Sequence, residues 1–588
     1  MTDRFAHDLP FGAQLAEDGT TRFRIWAPSA EAVTLDLDGA PTPMQAESDG
    51  WFVAEQPAAA GARYLYRLPD GLGVPDPAAR RQAGDVHDPS AVVDPRSYRW
   101  ANPGWMGRPW HEAVIYELHP GAFGGFSGII GQLQSLKELG VTVIELMPIA
   151  DFPGAHNWGY DGVLPYAPDT AYGTPDQLKA LVDAAHGIGL MVMLDVVYNH
   201  FGPDGNFLHA YAERFFRDDI KTPWGASIDF RKLPVRQYFE QNALYWLMEY
   251  RFDGLRFDAV HAISEPDFLD EMAATLRAKV EPGRHIHLVL EHEGNAAKHL
   301  RQPGGGGFDA QWTDDVHHCL HVMLTGESEG YYEDFQKPAE LLARCMAEGF
   351  AYQGEVSPHS GKPRGEPSAH LPTTAFVICL QNHDQIGNRA MGERLTMLTD
   401  PQALRAATSL LLLSPFIPLL FMGEEWGSRT PFLFFTSHND ELAELVRNGR
   451  REEFKHFAAF QDEAKRAMIP DPNAPSTFQA SIPEMSGNTE VHDLHRTLLS
   501  LRHGRIVPGI PGCRSVGAQA ISDTAVVARW RLGTGETLTI AANLGSKPAH
   551  LEAPGGGVLF ESEAGAAGSA QAGTLDPRTT VAFIAAAS

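Results

Sequence analysis

The sequence contains few cysteines, no closely spaced cysteine pair and no long apolar run. A disulfide framework or a zinc site needs cysteines at short, regular spacings, and neither pattern is present. We therefore expect buried free thiols and a reducing compartment, which favours the cytoplasm. The four cysteines are Cys319, Cys345, Cys379 and Cys513.

Membrane segments are also missing from the sequence pattern. The first residues lack the basic start and the apolar run of a secretory signal. The most apolar stretch, 410–422, contains Ser414, Pro415 and Pro418 and is too short to cross a bilayer. It predicts a helix end, a turn and a buried strand. We expect neither a signal peptide nor a membrane partner.

Positive charge is in deficit, because 47 Lys and Arg face 74 Asp and Glu and the formal net charge is −27. Such a protein would on average repel a nucleic-acid backbone but not a neutral polysaccharide. The composition, 43% hydrophobic and 21% charged, is that of a soluble globular protein. A chain of 588 residues is longer than a domain with a single hydrophobic core. We expect several domains and no nucleic-acid partner, and no feature indicates an oligomeric state.

Three regions differ in their periodicity. Residues 1–95 hold short alternating segments separated by Pro, Gly and Asp, which predicts a small β-sandwich. A connector rich in Pro and Trp leads to residues 110–507, where strand-like runs alternate with helical patterns. Residues 508–588 are rich in Gly, Ala and Thr and predict a small C-terminal β domain. Within it, residues 565–573 have low complexity and are expected to form a mobile loop.

The central region contains eight candidate strands with helical segments between them, an order that predicts an α/β fold of the (β/α)8 TIM barrel type. In that fold the loops after the strands form the active site, and polar residues follow most of the candidate strands. Residues 201–233 are rich in aromatics, Gly and Pro and are expected to form a long loop over that face. The candidate strands are 113–118, 141–147, 190–197, 254–257, 287–290, 308–312, 376–380 and 418–422.

Three of these strands end in an acid. Taken singly, each acid is better explained as a salt-bridged strand terminus. Three acids at the same end of a parallel barrel instead predict a sugar-cleaving site, because the strand ends meet there. The acids are Asp258 in 254–261, Glu291 in 288–292 and Asp384 in 380–385.

Cleavage of a glycosidic bond with retention needs an ionised carboxylate as nucleophile and a protonated carboxyl as acid. Arg256 precedes Asp258 by two residues on the same strand face and would keep that carboxylate ionised. Glu291 has the longer reach, and neighbouring Asp charges would keep it protonated. The sequence therefore favours Asp258 as nucleophile and Glu291 as acid.

Three further strand-end residues suit a bound sugar. Asp384 would hold ring hydroxyls and help to distort the ring toward an oxocarbenium-like state. His200 and His383 suit hydrogen bonds to hydroxyls, although a single histidine is more often structural.

Together these residues resemble the four characteristic regions of the α-amylase family, glycoside hydrolase family 13. The resemblance covers the barrel, and the flanking β domains fit the branching and debranching members. It implies that Asp258 is the nucleophile, Glu291 the general acid/base and Asp384 the transition-state stabiliser. The four regions are 195–200, 254–258, Glu291 and 382–384.

The resemblance also implies roles for residues around the acids. Arg256, His200 and His383 would bind the sugar at the cleavage subsite, where Asp195 orients Arg256. The segment 157–161 is similar to one whose tyrosine, here Tyr160, stacks under that sugar.

Two positions bear on specificity and on metals. His261 stands where amylases carry a Lys-His pair one step further on, which argues against ordinary amylase specificity and suits the branching-like subgroup. It is a candidate substrate-binding residue. Asn199 is similar to an amylase calcium ligand, but it has no companion cluster, so we expect no metal and no other cofactor.

Further segments resemble the family members that cleave the α-1,4 bond next to the terminal trehalose of maltooligosyltrehalose. Such an enzyme would act on maltooligosyltrehalose and related α-glucans and would serve trehalose biosynthesis. Two alternatives stay open: a glycogen branching or debranching enzyme on the same fold, and a catalytically silent α-glucan-binding protein. The segments are 152–162, 310–318, 324–332, 421–426 and 431–436.

The acceptor side of the cleft must distinguish the second glucose of trehalose, which requires polar groups placed for it. The loops after the seventh and eighth strands carry Gln385, Glu424 and Glu425, which we expect to bind there; the alternative for the two glutamates is a loop salt bridge. Two or three aromatic residues are expected to stack on glucose rings. The candidates are Trp224, Tyr331, Tyr332, Tyr352 and Trp426.

Overall fold

The centre of the molecule is a closed barrel of eight parallel strands, as seen in a computed structural model that describes residues 4–222, 225–301 and 307–587. Each strand pairs with the next along the chain, and the last pairs with the first. This confirms the predicted TIM barrel and all eight candidate strands. The strands are β1 (Ile115–Leu118), β2 (Val143–Leu146), β3 (Met191–Val196), β4 (Gly254–Phe257), β5 (His287–Leu290), β6 (Ala310–Trp312), β7 (Phe376–Cys379) and β8 (Ile417–Phe421).

Every residue of these eight strands is buried. Parallel strands covered on both faces read as nearly continuous apolar runs, which is why the sequence pattern located them. The few ionisable residues inside the strands therefore contact one another instead of water. Asp195 and Arg256, for example, are register partners on the adjacent strands β3 and β4.

Helices surround the barrel and connect its strands. The helix Pro401–Leu413 shows how the sequence sets their limits, because Asp400 caps its first turn, Pro401 starts it and the chain turns at Ser414 before β8. The prediction of a helix end, a turn and a strand over 410–422 is thereby confirmed. The other helices before β7 are Gly125–Ile130, Leu133–Leu139, Pro175–Gly187, Leu208–Tyr211, Leu233–Met248, Asp267–Lys279, Asp314–Thr325 and Pro338–Glu348. Those after β7 are His383–Gly387, Leu395–Leu398, Asp440–Glu453, Glu463–Arg466, Pro475–Ala480 and Thr489–Leu501.

The N-terminal region forms two antiparallel sheets, as the alternating pattern predicts. Along Thr20–Trp26 every second residue is buried between them. Arg80 joins this region to the barrel through a buried ion pair with Glu249, 3.3 Å between Nη2 and Oε2. One sheet contains Gly12–Leu15, Thr20–Trp26, Trp51–Pro57 and Gln45–Ala46; the other contains Ala40–Pro43, Thr34–Leu37, Arg63–Arg67, Gly73–Val74 and Ser90–Ala91.

The C-terminal region is a five-stranded antiparallel sheet, also as predicted, while the predicted domain limits stay predictions. The expected mobile loop at 565–573 is wrong, because residues Ala566–Gln571 form a helix whose Ala566, Ala567 and Ala570 are buried. Alanine is the best helix former, and a low-complexity alanine run packs tightly when its spacing gives one apolar face. The sheet contains Arg514–Ser522, Ala525–Arg531, Thr537–Asn543, Thr579–Ala585 and Gly557–Glu561, and a separate pair contains Ala549–His550 and Thr574–Leu575.

Residues 201–233 are only partly a loop. They contain a short helix, Leu208–Tyr211, and an antiparallel pair, Phe216–Thr222 with Gly225–Ile228. Several of their described aromatic residues pack on one another, as in the contact of Phe201 with Phe215. Another antiparallel pair, Ala150–Asp151 with Leu164–Pro168, follows β2 and frames the segment that carries Tyr160.

All four cysteines are buried free thiols, as expected. Cys319 and Cys345, on two packed helices, are nevertheless neighbours, which their distance in the sequence could not show; burial and the Cys319 thiol raise the pKa of Cys345. Among the helices described, none combines the length and the apolar character that a bilayer-spanning segment needs. In the same part of the chain, no group of three or more His, Cys, Asp or Glu side chains is arranged to hold a metal ion.

Candidate active site

Arg256, on β4, is the centre of the candidate site and contacts three carboxylates. Its Nη1 donates to Asp195 Oδ2 at 2.6 Å and to Asp258 Oδ1 at 2.8 Å, and its Nη2 donates to Glu291 Oε2 at 2.7 Å. The guanidinium is fully buried. A planar group with several fixed donors can hold carboxylates from β3, β4 and β5 at once, which a lysine cannot. The predicted nucleophile and the predicted acid thus lie on one cation.

The burial of Arg256 is offset by its surroundings. The indole face of Trp312, on β6, lies 4.2 Å from its guanidinium carbon. Burial disfavours the charged form, but Asp195 and Glu291 raise the pKa of Arg256 well above its usual range. Burial conversely raises the pKa of Asp195 to about 7, against the lowering effect of Arg256. Arg256 therefore stays positively charged, and the three acids are arranged around it.

Asp258 is held on its other side by Asn199. The Asn199 amide donates to Asp258 Oδ2 at 2.8 Å and to the Asp258 carbonyl oxygen at 2.9 Å. With Arg256 on Oδ1, both carboxylate oxygens accept a hydrogen bond and the side chain has one orientation. Asn199 belongs to the segment that the sequence analysis singled out, but its role as a partner of Asp258 was missed.

The residue after Asp258 adopts an unusual backbone conformation. Ala259 lies in the left-handed region, with φ 40° and ψ 44°. Its backbone N–H donates to Glu291 Oε2 at 2.8 Å. Strained backbone of this kind is common where it orients a functional group. Here it gives the predicted acid a second donor beside Arg256.

His383 and Tyr160 form a second hydrogen-bonded group next to the first. The Tyr160 hydroxyl donates to Asp195 Oδ2 at 2.6 Å and lies 2.8 Å from His383 Nε2, with the two rings stacked at 5.1 Å. On its other side His383 Nδ1 lies 2.5 Å from Glu117 Oε1 of β1. Burial opposes the charge of His383, but Asp384 and Glu117 raise its pKa to about 9. His383 is therefore a cation near neutral pH.

Asp384 stands at the open side of this group. Its side chain is 36% exposed, and its Oδ1 lies 3.4 Å from His383 Nε2. Asn382 caps the short helix His383–Gly387 by accepting from Asp384 N, which places Asp384 in the first turn. Among the three predicted acids Asp384 is the most exposed to an incoming ligand.

The two remaining predicted histidines differ in position. His200 is buried, with Nδ1 2.5 Å from Asn199 Oδ1 and Nε2 3.0 Å from the Tyr160 carbonyl oxygen. Burial lowers its pKa, and the charges of Asp258 and Asp161 oppose this. His261 lies instead at the rim, with its side chain 29% exposed and 3.6 Å from Glu293. No contact between His261 and the three acids is seen in the described residues.

Gln385 faces a fourth acid, Asp314, which follows β6. Its Nε2 lies 3.3 Å from Asp314 Oδ1. Burial raises the pKa of Asp314 to about 7, and the charges of Glu291 and Asp384 add to the effect. Asp314 and Gln385 therefore lie on the Asp384 side of the site, where the acceptor sugar was predicted.

Glu424 and Glu425 are not brought to the acids. Both are buried just after β8; Glu425 Oε1 accepts from Tyr116 at 2.8 Å, and Glu424 Oε2 lies 3.4 Å from Phe421 N. Burial raises the pKa of Glu424 to about 8 and that of Glu425 to about 7. No ion pair of either glutamate is found among the described residues, although the charge of the buried Arg394 opposes the effect of burial on both pKa values. Glu424 lines a cavity of about 390 Å³ between the helices Pro401–Leu413 and Thr489–Leu501, here called the rear cavity.

The aromatic residues predicted to stack on glucose rings differ in how far they are buried. Tyr331 is 43% exposed and packs on Tyr332 with the rings tilted by 55°. Burial of its hydroxyl raises its pKa, and the charges of Asp384 and Asp314 add to this effect. Tyr332 and Tyr352 are buried, and Trp426 stacks on His492 with ring centres 4.0 Å apart. Tyr331 is thus the candidate placed toward the site. Trp224 lies outside the described residues.

Glu117, Trp312 and Asp314 are site residues to which the sequence analysis assigned no role. Glu117 and Trp312 lie inside strands, where the apolar pattern favours a structural reading. The signal available for Glu117 was an acid within a fully apolar run, which requires a buried partner.

Comparison with known proteins identifies the family to which the chain belongs. Residues 93–222 match the alpha amylase catalytic domain, residues 10–89 match carbohydrate-binding module 48 (isoamylase N-terminal domain), and residues 513–583 match a domain of unknown function, DUF3459. A malto-oligosyltrehalose trehalohydrolase of Deinococcus radiodurans is 42% identical over 84% of this chain and 82% of its own length. One from Rhizobium sp. (strain M-11) is 38% identical over 94% and 96%.

A crystal structure has the same overall fold. It is described as a candidate alpha amylase from Salmonella typhimurium, with a TM-score of 0.92 and 43% identity over 98% of this chain and 100% of that one. The relatives therefore have two different names. The two curated relatives are called malto-oligosyltrehalose trehalohydrolase, and the Salmonella protein is called an alpha amylase.

Proposed function

The chain belongs to the malto-oligosyltrehalose trehalohydrolase family within the α-amylase family, and from this premise we propose that it hydrolyses maltooligosyltrehalose and releases trehalose. The bond cleaved would be the α-1,4-glucosidic bond next to the terminal trehalose. The observation that carries a glycosidase mechanism is the single guanidinium of Arg256 shared by Asp258 and Glu291.

In the proposed first step, Asp258 attacks the anomeric carbon of the glucose adjoining trehalose. The bond from that carbon to the glycosidic oxygen breaks, and Glu291 donates its proton to this oxygen, so that trehalose leaves. The remaining glucan is then covalently attached to Asp258. Asn199 and Arg256 fix the Asp258 carboxylate for this attack.

In the second step, the Glu291 carboxylate takes a proton from water, whose oxygen attacks the same carbon and releases the glucan with its α configuration retained. The ion pair of Glu291 with Arg256 is that of a carboxylate, which suits this step. For the first step Glu291 must carry a proton, so a bound glucan has to weaken the ion pair. The sequence argument considered only the neighbouring Asp charges around Glu291, whereas the structure also places the Arg256 cation beside it.

Asp384 and His383 are proposed to bind the hydroxyls of the sugar whose bond is cleaved. Asp384 is exposed enough to reach them, and Glu117 holds His383 as a fixed cation. The stack of His383 on Tyr160 gives that sugar an aromatic surface. His200 and Asp195 are proposed to position Tyr160, Asn199 and Arg256.

The acceptor side is proposed to include Gln385 together with Asp314. Their hydrogen bond places two polar groups close to Asp384. His261, at the rim, would contact a longer glucan only. That Glu424 and Glu425 bind trehalose directly stays a prediction. Both side chains are buried, and their hydrogen-bond partners are Phe421 N and the Tyr116 hydroxyl.

The test is a comparison of three substrates with the purified protein. Maltooligosyltrehalose, a maltooligosaccharide with the same number of glucose units and a branched glucan are incubated separately. Products are scored as free trehalose, shorter chains or new branches. We expect trehalose, with a kcat/KM at least tenfold above that for the plain maltooligosaccharide.

Other product patterns identify the alternatives. Equal kcat/KM for the two linear substrates would make the protein an amylase, as the name of the Salmonella relative suggests. New branches would indicate a branching enzyme. Binding without any product would leave a silent glucan-binding protein.

A further inference from the structure

The short helix His383–Gly387 carries Asp384 and ends in a turn that contains Asn388. Asn388 is exposed, and its Nδ2 donates to Asp384 Oδ1 at 3.3 Å. The same oxygen lies 3.4 Å from His383 Nε2. Asn388 is therefore a second polar partner of the most exposed of the three predicted acids, and its position affects how that carboxylate is oriented.

The start and one side of this helix are fixed by neighbouring residues. Asn382 caps the start. Gly387, at the other end, packs so closely on Trp158 that a Cβ there would lie 2.0 Å from the indole ring. Trp158 is buried and stacks on Phe432, with ring centres 5.3 Å apart. The helix cannot shift toward Trp158, so its orientation depends further on what holds the turn that follows it.

That turn is held by Arg450, which comes from the helix Asp440–Glu453. Its Nη2 donates to the Gly387 carbonyl oxygen at 2.7 Å and to the Arg389 carbonyl oxygen at 3.2 Å. The last carbonyl groups of a helix have no partner within the helix, and a cationic side chain is a common external donor to them. The two carbonyls lie on either side of Asn388. One guanidinium therefore holds the backbone both before and after this residue.

The Arg450 side chain is itself fixed by its surroundings. In the helix Asp440–Glu453, all of which the structure describes, no residue is buried as a whole, yet the Arg450 side chain is only 9% exposed. Its guanidinium carbon lies 5.6 Å from the ring centre of Phe434 and 4.7 Å from that of Phe454. Its ion pair, 3.0 Å from Nη1 to Glu453 Oε2, joins it to a half-exposed carboxylate. Such a pair contributes little to stability, so the carbonyls and the rings are the contacts that offset the burial of this cation.

We propose that Arg450 is a positioning residue of the acid site, which orients Asp384 through the turn that contains Asn388. By holding both flanking carbonyls, it keeps the Asn388 amide within hydrogen-bond distance of Asp384 Oδ1. The contact itself stands on these distances. That the orientation of Asp384 serves bond cleavage rests on the proposed function, in which Asp384 binds the hydroxyls of the sugar.

A double-mutant cycle tests whether Arg450 acts through Asn388, using whichever of the three substrates the wild type converts fastest. Asn388→Ala should lower kcat about tenfold, as for the loss of one hydrogen bond to a charged group. Arg450→Met, which keeps an apolar stem but removes the donors, should lower kcat by a similar factor. KM should stay within about twofold in both variants, because the contact acts in the transition state. The double variant should lose no more than about threefold beyond the weaker single variant, because both changes remove the same contact.

Two further variants separate this role from general support of the helix. Arg447→Met is the matched control, because Arg447 lies one turn earlier on the same helix and pairs with Asp471 instead, 3.2 Å from Nη1 to Oδ2. It should leave kcat and KM unchanged. Arg450→Lys keeps a cation that can donate to one carbonyl, so its kcat should be at least about threefold above that of Arg450→Met. Thermal melts check that each variant is folded.

Hydrogen exchange measures the contact without any turnover. The amides of Asn388 and Arg389, which donate to the carbonyls of Asp384 and Ile386, should exchange about tenfold faster in Arg450→Met and at the wild-type rate in Arg447→Met.

Three results would overturn the proposal. They are a double variant about a hundredfold below the wild type, as independent effects would give, equal losses of kcat in Arg447→Met and Arg450→Met, and equal exchange rates in these two variants. If the wild type converts none of the three substrates, the proposed function fails, and the exchange rates alone decide whether Arg450 holds the turn.

Discussion

The acids after β4 and β5 and the acids after β8 follow the same sequence pattern but lie in opposite environments. Asp258 and Glu291 share Arg256 and receive further hydrogen bonds from Asn199 and Ala259. Glu424 and Glu425 follow an equally apolar strand, yet each lacks a cation within ion-pair distance in the described part of the chain and leaves one oxygen unpaired.

The contrast shows that acids at the ends of barrel strands differ in whether a cation lies within ion-pair distance. Burial alone disfavours the carboxylate, as the raised pKa values of Glu424, about 8, and Glu425, about 7, illustrate. Arg256 forms ion pairs with Asp195, Asp258 and Glu291, although burial still raises the pKa of Asp195 to about 7. The experiments below change four groups in turn: the three predicted catalytic acids, the shared cation Arg256, the second cation His383, and the acids after β8.

Removing the charge of a predicted catalytic acid should have the largest effect. Asp258→Asn, Glu291→Gln and Asp384→Asn should each lower kcat by about ten-thousandfold or more, because groups that act as a unit are individually indispensable. Steady-state kinetics on maltooligosyltrehalose measures this, with circular dichroism to confirm the fold. Near-normal turnover in any one variant would remove that residue from the mechanism.

Replacing the shared cation should have the next largest effect. Arg256→Lys keeps the charge but cannot hold three carboxylates in one plane, so kcat/KM should fall about a hundredfold to a thousandfold, as for loss of one preorganised electrostatic contact. A matched variant is Arg277→Lys, whose arginine pairs with Asp309 outside the site. Equal losses in the two variants would indicate damage to the barrel instead of the site.

Weakening the second cation should have a moderate, pH-dependent effect. Folding raises the pKa of His383 to about 9, so its contribution to stability is complete below its usual value of 6.5 and disappears as the pH rises through 9. Glu117→Gln removes one of the charges that raise this pKa. The variant should be less stable than the wild type at pH 6, on the order of 1–3 kcal/mol, and the difference should shrink by pH 10.

Urea unfolding at both pH values measures this difference, and the titration of His383 followed by NMR should shift to lower pH in the variant. Activity should fall about tenfold, since one charge-assisted hydrogen bond to His383 is lost. A constant stability difference from pH 6 to pH 10 would show that Glu117 does not act through the charge of His383.

Neutralising the acids after β8 should have the smallest effect on turnover. Glu424→Gln and Glu425→Gln replace groups that burial already keeps largely protonated, so kcat/KM should stay within about threefold for both linear substrates. Folding raises the pKa of Glu424, so the wild type loses stability as the pH rises from 4.5 to 8. Glu424→Gln should therefore gain stability relative to the wild type over that interval, measured by thermal melts.

A selective loss of trehalose release in either variant would contradict this expectation. It would restore the interpretation made from the sequence, in which both residues contact the second glucose. Unchanged relative stability between pH 4.5 and pH 8 would show that Glu424 is not buried as a neutral acid.

Much of the fold was predictable because burial leaves a strong mark on the sequence. Strands covered on both faces are apolar throughout, and all eight were located to within a few residues. Segments outside the barrel were harder, because short polar or alanine-rich stretches have no such periodicity. The helix Ala566–Gln571 and the antiparallel pair of Phe216–Thr222 with Gly225–Ile228 were both expected to be loops.

The candidate site was predictable only in part. Arg256 and Asp258 are two residues apart on one strand, so their contact follows from the strand period alone. Glu117 and His383 are far apart in the chain, and only barrel closure brings them to 2.5 Å. Their pairing had no local signal, and neither did the contact of Trp312 with Arg256.

By itself the sequence determined the barrel, its order of strands and the acids at the ends of β4, β5 and β7, because these depend on local periodicity and on the direction of parallel strands. Only the tertiary structure decided which acids lie beside a cation and which are buried without one. The distance to a cation and the depth of burial are both set when distant segments pack. For this reason Asp258 and Glu424 look alike in the sequence and differ in the folded protein.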